Sequence, residues 1–220
     1  MYWLLLIFIS MIFQSCFEII EQLQIKNDGS GNFQLTFNLS KSKTKLNSIS
    51  KLQMINGHPV PTRQNIHDKL QEIETATAKV PGISNVKTTV DFDNYIAVIS
   101  CSFKNITQLN KAIKNVKIKE KATGAALEDN YMYDEKTKIF QRKNNVPLKE
   151  TYSSMSKADK EIFSNAGYTT IYKFESDINS ISNKDAKLSA SKKAVMLNLQ
   201  ALDIVTQKKS IENNININKQ

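Results

Sequence analysis

Apolar residues recur at every second position on both sides of one glycine-rich turn, and this spacing constrains the fold more than any other feature of the chain. Phe17, Ile19, Leu23 and Ile25 hold odd positions before Asn27-Asp28-Gly29-Ser30-Gly31, and Phe33, Leu35, Phe37 and Leu39 hold odd positions after it. Side chains alternate between the two faces of a strand, so period two predicts strands with one dry face. An Asp-Gly turn between two such runs is a β-hairpin signal. The pattern returns in Val86, Thr88, Val90 and Phe92, followed by an Asp93-Asn94 turn and a long apolar strand from Tyr95 to Phe103. Tyr131 to Tyr133 and Lys138 to Arg142 flank residues 134–137 as a short hairpin. Tyr168 to Phe174 reads as a strand, Ala186 to Ser191 and Ala194 to Leu199 as a meander, and Ile204 to Ile217 as a last extended or irregular piece.

Between the hairpins the period changes. Leu46, Ile49 and Leu52 fall at helical spacing in a Lys- and Ser-rich stretch, and the prolines on either side of Val60 exclude regular structure in the loop 56–61. Residues 63–79 form a helix through Ile66, Leu70, Ile73 and Ala76, ended by Pro81-Gly82. Ile106, Leu109, Ile113 and Val116 make a further stripe, and residues 117–130 read as a mobile connection. Ser156-Lys157-Ala158-Asp159 resembles a capping box opening a helix that stops at Gly167. Runs of hairpins broken by helices, without regular strand-helix-strand units, predict an α+β fold in which antiparallel sheets carry helices on one face. The expected units are a hairpin-helix-hairpin-helix lobe over 16–118 and a second α+β lobe over 119–220, which can belong to the same domain.

Residues 1–15 carry no charge, and Tyr2 to Phe13 is apolar except for Ser10. A spanning helix needs about 20 apolar residues, so this run reads as the hydrophobic part of a secretory signal. Cys16, preceded by Ser15, resembles the bacterial lipobox, in which the cysteine is acylated and becomes the mature N-terminus. Phe13 and Gln14 depart from the usual leucine and small residue of that motif. The expected mature protein is a palmitate-bearing lipoprotein held to a membrane through Cys16, without Trp3. Phe17-Glu18-Ile19-Ile20-Glu21 lacks a tight acidic cluster, which favours a periplasm-facing orientation.

Chemistry-bearing motifs are scarce. Lys26 to Asn32 superficially follows an EF-hand loop, but Lys26 and Phe37 stand where the first ligand and the bidentate glutamate belong, so a turn is the reading. His58 and His67 have no cysteine near them, and Cys101, in an apolar strand, reads as a small buried hydrophobe. Asp91 and Asp93, or Glu128 and Asp129, sit beside turns, where Asp is favoured for backbone reasons. No metal, no cofactor and no catalytic residue is expected. The net charge of +9 is spread along the chain, and its densest run is Lys111, Lys114, Lys117, Lys119 and Lys121. The first three are expected within about 60° of each other, opposite the Leu109 and Ile113 stripe, as a face for anionic lipid. Arg63 and Arg142 are the only arginines, which argues against nucleic acid as a partner.

The lipid-type cysteine, the hairpin through Asn27 to Gly31, the Lys/Ser segment and the stretch from Ala186 to Leu199 resemble uncharacterised Bacteroidetes lipoproteins. The order of elements is also similar to the extracytoplasmic domain of LppM-type lipoproteins. That likeness implies handling of lipid or lipoglycan and transfers no residue roles. The resulting expectation is a non-enzymatic, lipid-anchored envelope protein that binds an envelope lipid, glycolipid or partner protein. An envelope glycan hydrolase and a structural assembly subunit are the alternatives. A deep apolar cavity would favour lipid binding, whereas two carboxylates about 5–10 Å apart in a cleft would favour hydrolysis.

Overall fold

The first hairpin closes where the glycines stand. β1 (Glu18–Ile25) and β2 (Gly31–Asn38) pair antiparallel from Glu18 opposite Asn38 to Ile25 opposite Gly31. Gly29 adopts a φ of +77°, and Asp28 Oδ1 accepts hydrogen bonds from the Ser30 amide at 3.0 Å and the Ser30 hydroxyl at 2.7 Å. The loop is thus an aspartate-stabilised turn. The computed structural model describes residues 17–144 and 148–218, so residues 1–15, expected to be a signal, and Cys16 lie outside the described residues.

The fold is α+β. After β2 come a short helix α1 (Lys43–Ile49), the two-residue strands β3 (Met54–Ile55) and β4 (His58–Pro59), and helix α2 (Arg63–Ala78). Next are β5 (Ile83–Asp91), β6 (Ile96–Phe103) and helix α3 (Ile106–Lys119). The hairpin β7 (Tyr131–Asp134) and β8 (Ile139–Arg142) follows, then helices α4 (Leu148–Ser154) and α5 (Lys157–Phe163). The chain ends with β9 (Gly167–Phe174), β10 (Ile178–Ile181), β11 (Lys187–Leu188), β12 (Ala194–Gln200), helix α6 (Ala201–Val205) and β13 (Asn213–Ile217). Seven strands form one sheet in the order β11-β12-β9-β1-β2-β6-β5, four form a second in the order β10-β13-β8-β7, and β3 pairs with β4. The large sheet draws strands from both halves of the chain.

Four expectations are corrected. β1 pairs parallel with β9, Glu18 opposite Gly167 and Ile25 opposite Phe174, because two strands so distant in sequence need no hairpin to join them. Residues 54–59 form a minimal β-ladder; Pro59 sits at a free edge where no amide is required. The stretch 117–130 is not uniformly irregular, since α3 runs to Lys119 and a 3₁₀ turn covers Gly124–Leu127. Helix α6 replaces extended structure at the start of the last piece.

The large sheet buries one face. Leu23 and Ile25 of β1, Cys101 and Phe103 of β6, Tyr172 and Phe174 of β9 and Val195 of β12 belong to one buried cluster with Leu109 of α3 and with Phe140, Ile215 and Ile217 of the small sheet. The small sheet therefore covers part of the face, and α2 and α3 cover the rest. Phe140 stacks over β9, its ring centroid 5.1 Å from that of Tyr172 and 5.7 Å from that of Phe174. Capping fixes both helices. Thr62 Oγ1 accepts from the Asn65 amide at 3.1 Å while Asn65 Oδ1 accepts from the Thr62 amide at 3.0 Å, and Asn105 Oδ1 accepts from the Gln108 amide at 3.0 Å. The opposite face presents Gln22, Gln24, Asn32, Gln34, Ser100 and Ser102, a polar row around a hollow of about 370 Å³.

Candidate functional site: an apolar cavity ending in a buried ion pair

Alternation along β1 sends Ile19, Glu21, Leu23 and Ile25 toward the helices, so a carboxylate interrupts an otherwise apolar row. Glu21 is 4% exposed. Its partner is Arg142 at the end of β8, 6% exposed, whose Nε donates to Oε1 at 3.0 Å and whose Nη2 donates to Oε2 at 3.1 Å. Two hydroxyls from β9 complete the carboxylate: Tyr172 donates to Oε1 at 2.6 Å, and Tyr168 donates to Oε2. The guanidinium also donates to the Lys143 carbonyl and lies 5.0 Å from the Tyr131 ring centroid. Asn110 of α3 brackets Tyr131, donating to its carbonyl at 2.8 Å and accepting from its amide at 3.2 Å, so α3 is tied to β7.

Burial alone would raise the Glu21 pKa, but the Arg142 charge and the hydrogen bonds from Tyr168, Tyr172 and Arg142 together outweigh it and hold the carboxyl below its ordinary value. Desolvation opposes the charge on Arg142 as well, and the Glu21 carboxylate reverses that, so the guanidinium stays protonated. Burial pushes the Tyr131, Tyr168 and Tyr172 hydroxyls up, and the Glu21 charge pushes them further. The cluster is an ionised pair wrapped by neutral phenols.

The pair stands at one end of a half-open cavity of about 340 Å³ between the sheet and the helices. Phe33, Leu35, Phe37, Ile99 and Cys101 form its floor, Ile73 and Thr77 of α2 and Leu109, Ala112, Ile113 and Val116 of α3 its roof. Lys117, Asn130, Tyr131, Arg142 and Tyr168 close the polar end beside Glu21. Ile19, Arg142 and Tyr168 also face a second apolar cavity of about 280 Å³, lined by Phe17, Phe163, Ala201, Ile204, Val205 and Ile211, so they form a wall between the two.

The lysines expected to act together are separated. Lys111 and Lys114 are exposed, whereas Lys117 is half-buried and lines the cavity with Leu109 and Ile113. The correction follows from helix geometry: Lys117 is four residues past Ile113, one turn up the same stripe. Its Nζ donates to Asn130 Oδ1 at 2.8 Å. Desolvation and, next, the Arg142 charge hold its pKa below the ordinary value.

The other sequence candidates lie elsewhere. His58 and His67 are exposed, and the His67 ring packs edge-on against Phe92 at 5.2 Å. Asp91 Oδ1 accepts from the amides of Asp93 and Asn94, both at 2.9 Å, and serves the β5–β6 turn. Glu128 and Asp129 are exposed. Cys101 is 5% exposed, and burial pushes its thiol up to about 11. Among the described residues no group of three or more His, Cys, Asp or Glu side chains is placed to hold a metal, and no helix is long and apolar enough to cross a membrane. Glu21, Arg142, Tyr168 and Tyr172 were not singled out by sequence reasoning; the signal was present as a glutamate at an odd position of β1.

No protein-family model matches the chain, and no curated protein matches it. Among solved structures, the chain is similar to the folded domain of the Mycobacterium tuberculosis protein LppM, determined by NMR, with 11% identity over 94% of each chain and a TM-score of 0.47.

Proposed function

We propose that the protein is a lipid-anchored, non-enzymatic component of a bacterial cell envelope, tethered through acylated Cys16 and facing the periplasm, that binds the apolar part of an envelope lipid or glycolipid. The observation that carries this reading is the cavity beneath α2 and α3, whose volume of about 340 Å³ and apolar walls suit an acyl chain. The hydrolase alternative wants two carboxylates facing a cleft. Among the described residues the wall of the apolar cavity carries one, Glu21, which is fully engaged by Arg142, Tyr168 and Tyr172; Asp129 and Glu135 share a hollow, but it is a separate polar one outside this cavity.

Two measurements test it. Lipids extracted from the natively purified full chain are expected to include a bound amphiphile that is lost from Val116→Trp, in which an indole occupies the cavity; equal lipid content in both proteins would refute cavity binding. Metabolic labelling with palmitate is expected to mark the wild type and not Cys16→Ser, and an unlabelled wild type would remove the anchor.

A further inference from the structure

The polar groups at the cavity end do not cancel. Both Glu21 oxygens are occupied by donors from Arg142, Tyr168 and Tyr172, and Arg142 is committed to Glu21, to the Lys143 carbonyl and to the Tyr168 hydroxyl. That pair is neutral as a unit. The Lys117 ammonium shares the same wall and donates to the uncharged Asn130 amide oxygen at 2.8 Å. Asp129 and Glu21 attract it and Arg142 repels it. Asp129, however, is exposed and faces a separate polar hollow with Gly29 and Glu135. The walls of the cavity therefore carry two cations and one carboxylate around an otherwise apolar space.

Resting on the lipid-binding reading above, we infer that the cavity takes a single-chain amphiphile with an anionic head group, its carboxylate or phosphate paired with Lys117 Nζ and its chain lying among Phe33, Leu35, Leu109 and Ile113. An anion there would return to the half-buried ammonium the charge stabilisation that burial removes. A cavity of about 340 Å³ lies near the lower end of small-molecule sites, which favours one chain over two.

The test is equilibrium dialysis of the full chain against radiolabelled palmitate, hexadecyl phosphate and hexadecanol, with acetate and inorganic phosphate as chainless controls. At least one of the two chain-bearing anions is expected to bind about 10- to 100-fold more tightly than the alcohol, and the tighter of them identifies the head group; the chainless ions are expected not to be retained. Lys117→Gln is expected to abolish the preference for anions while retaining hexadecanol, Lys117→Arg to keep it, and the exposed pair Lys111→Gln/Lys114→Gln to leave it unchanged. Equal affinity of wild type for palmitate, hexadecyl phosphate and hexadecanol, or a preference that survives Lys117→Gln, would overturn the inference and leave the cavity reading standing. Retention of none of the three chains would overturn both.

Discussion

Arg142 closes on both oxygens of Glu21, at 3.0 and 3.1 Å, across 121 residues of sequence. The contact joins the central strand of the large sheet to the small sheet that covers it. A bidentate guanidinium-carboxylate fork fixes orientation as well as distance, so this pair sets how the two sheets face each other at the cavity's polar end.

Breaking one side of the pair leaves a buried charge without its partner. Glu21→Gln and Arg142→Met are each expected to cost about 3–5 kcal/mol. The double variant, which keeps an amide oxygen for the tyrosine hydroxyls and no net charge, is expected to cost less than the sum. Urea unfolding of the four proteins measures the coupling; strictly additive losses would show that the two side chains do not stabilise each other.

The same pair makes stability depend on acid. Burial works to raise the Glu21 pKa, but Arg142 and the tyrosine hydrogen bonds bring it below the ordinary 4.5, so as pH falls the unfolded chain takes up this proton before the folded one. The stabilisation is complete above the unfolded value and is lost as pH drops through the folded value. Melting temperature is expected to fall more steeply below about pH 4.5 in wild type than in Glu21→Gln. Asp28, Asp91 and Asp134 have lowered pKa values too, but they remain in the variant, so the difference between the curves isolates Glu21. Parallel curves would contradict the assignment.

Thr170 lies opposite Glu21 in the β1–β9 register, 1% exposed, and its hydroxyl has no hydrogen-bond partner. A buried hydroxyl without a partner costs free energy that an isosteric methyl does not. Thr170→Val is expected to be neutral or to stabilise by about 1 kcal/mol. A loss of that size in thermal unfolding would mean that the hydroxyl is bonded in solution.

Gly31 is required by closeness of approach. A Cβ there would stand 1.9 Å from the Gln24 carbonyl oxygen and 2.7 Å from Phe103 Cζ. Gly31→Ala is expected to cost about 1–3 kcal/mol as the strands shift, measured by the same urea series. Unchanged stability would show that the hairpin end gives way freely.

Local patterns carried most of the fold. Period two marked β1, β2 and β5, an apolar run marked β6, and the stripes in α2 and α3 placed both helices, because a strand or helix with one dry face writes its period directly into the sequence. The parallel pairing of β1 with β9 left no such mark, since register between distant strands is set by packing and not by an intervening turn. The site was half legible. Glu21 broke the apolar row and could have been read as a buried charge in need of a partner, with Arg142 as one of two arginines available. Lys117 could be told apart from Lys111 and Lys114 by its angle on the helix, one turn past Ile113 of the apolar stripe; what the sequence did not show is the cavity that this stripe lines.

The placement of β1 also orders events during synthesis. Its β2 edge is satisfied almost at once by the adjoining hairpin, while its other edge waits for residues 167–174, the last third of the chain. Long-range pairing of this kind slows folding and leaves a strand edge exposed to wrong neighbours. Charges on the inward row are one way natural sheets keep such an edge from pairing with another chain. Until residue 142 has been made, the Glu21 carboxylate in the middle of that row lacks its guanidinium partner, and a bare charge on an inward row disfavours pairing of that edge with another chain.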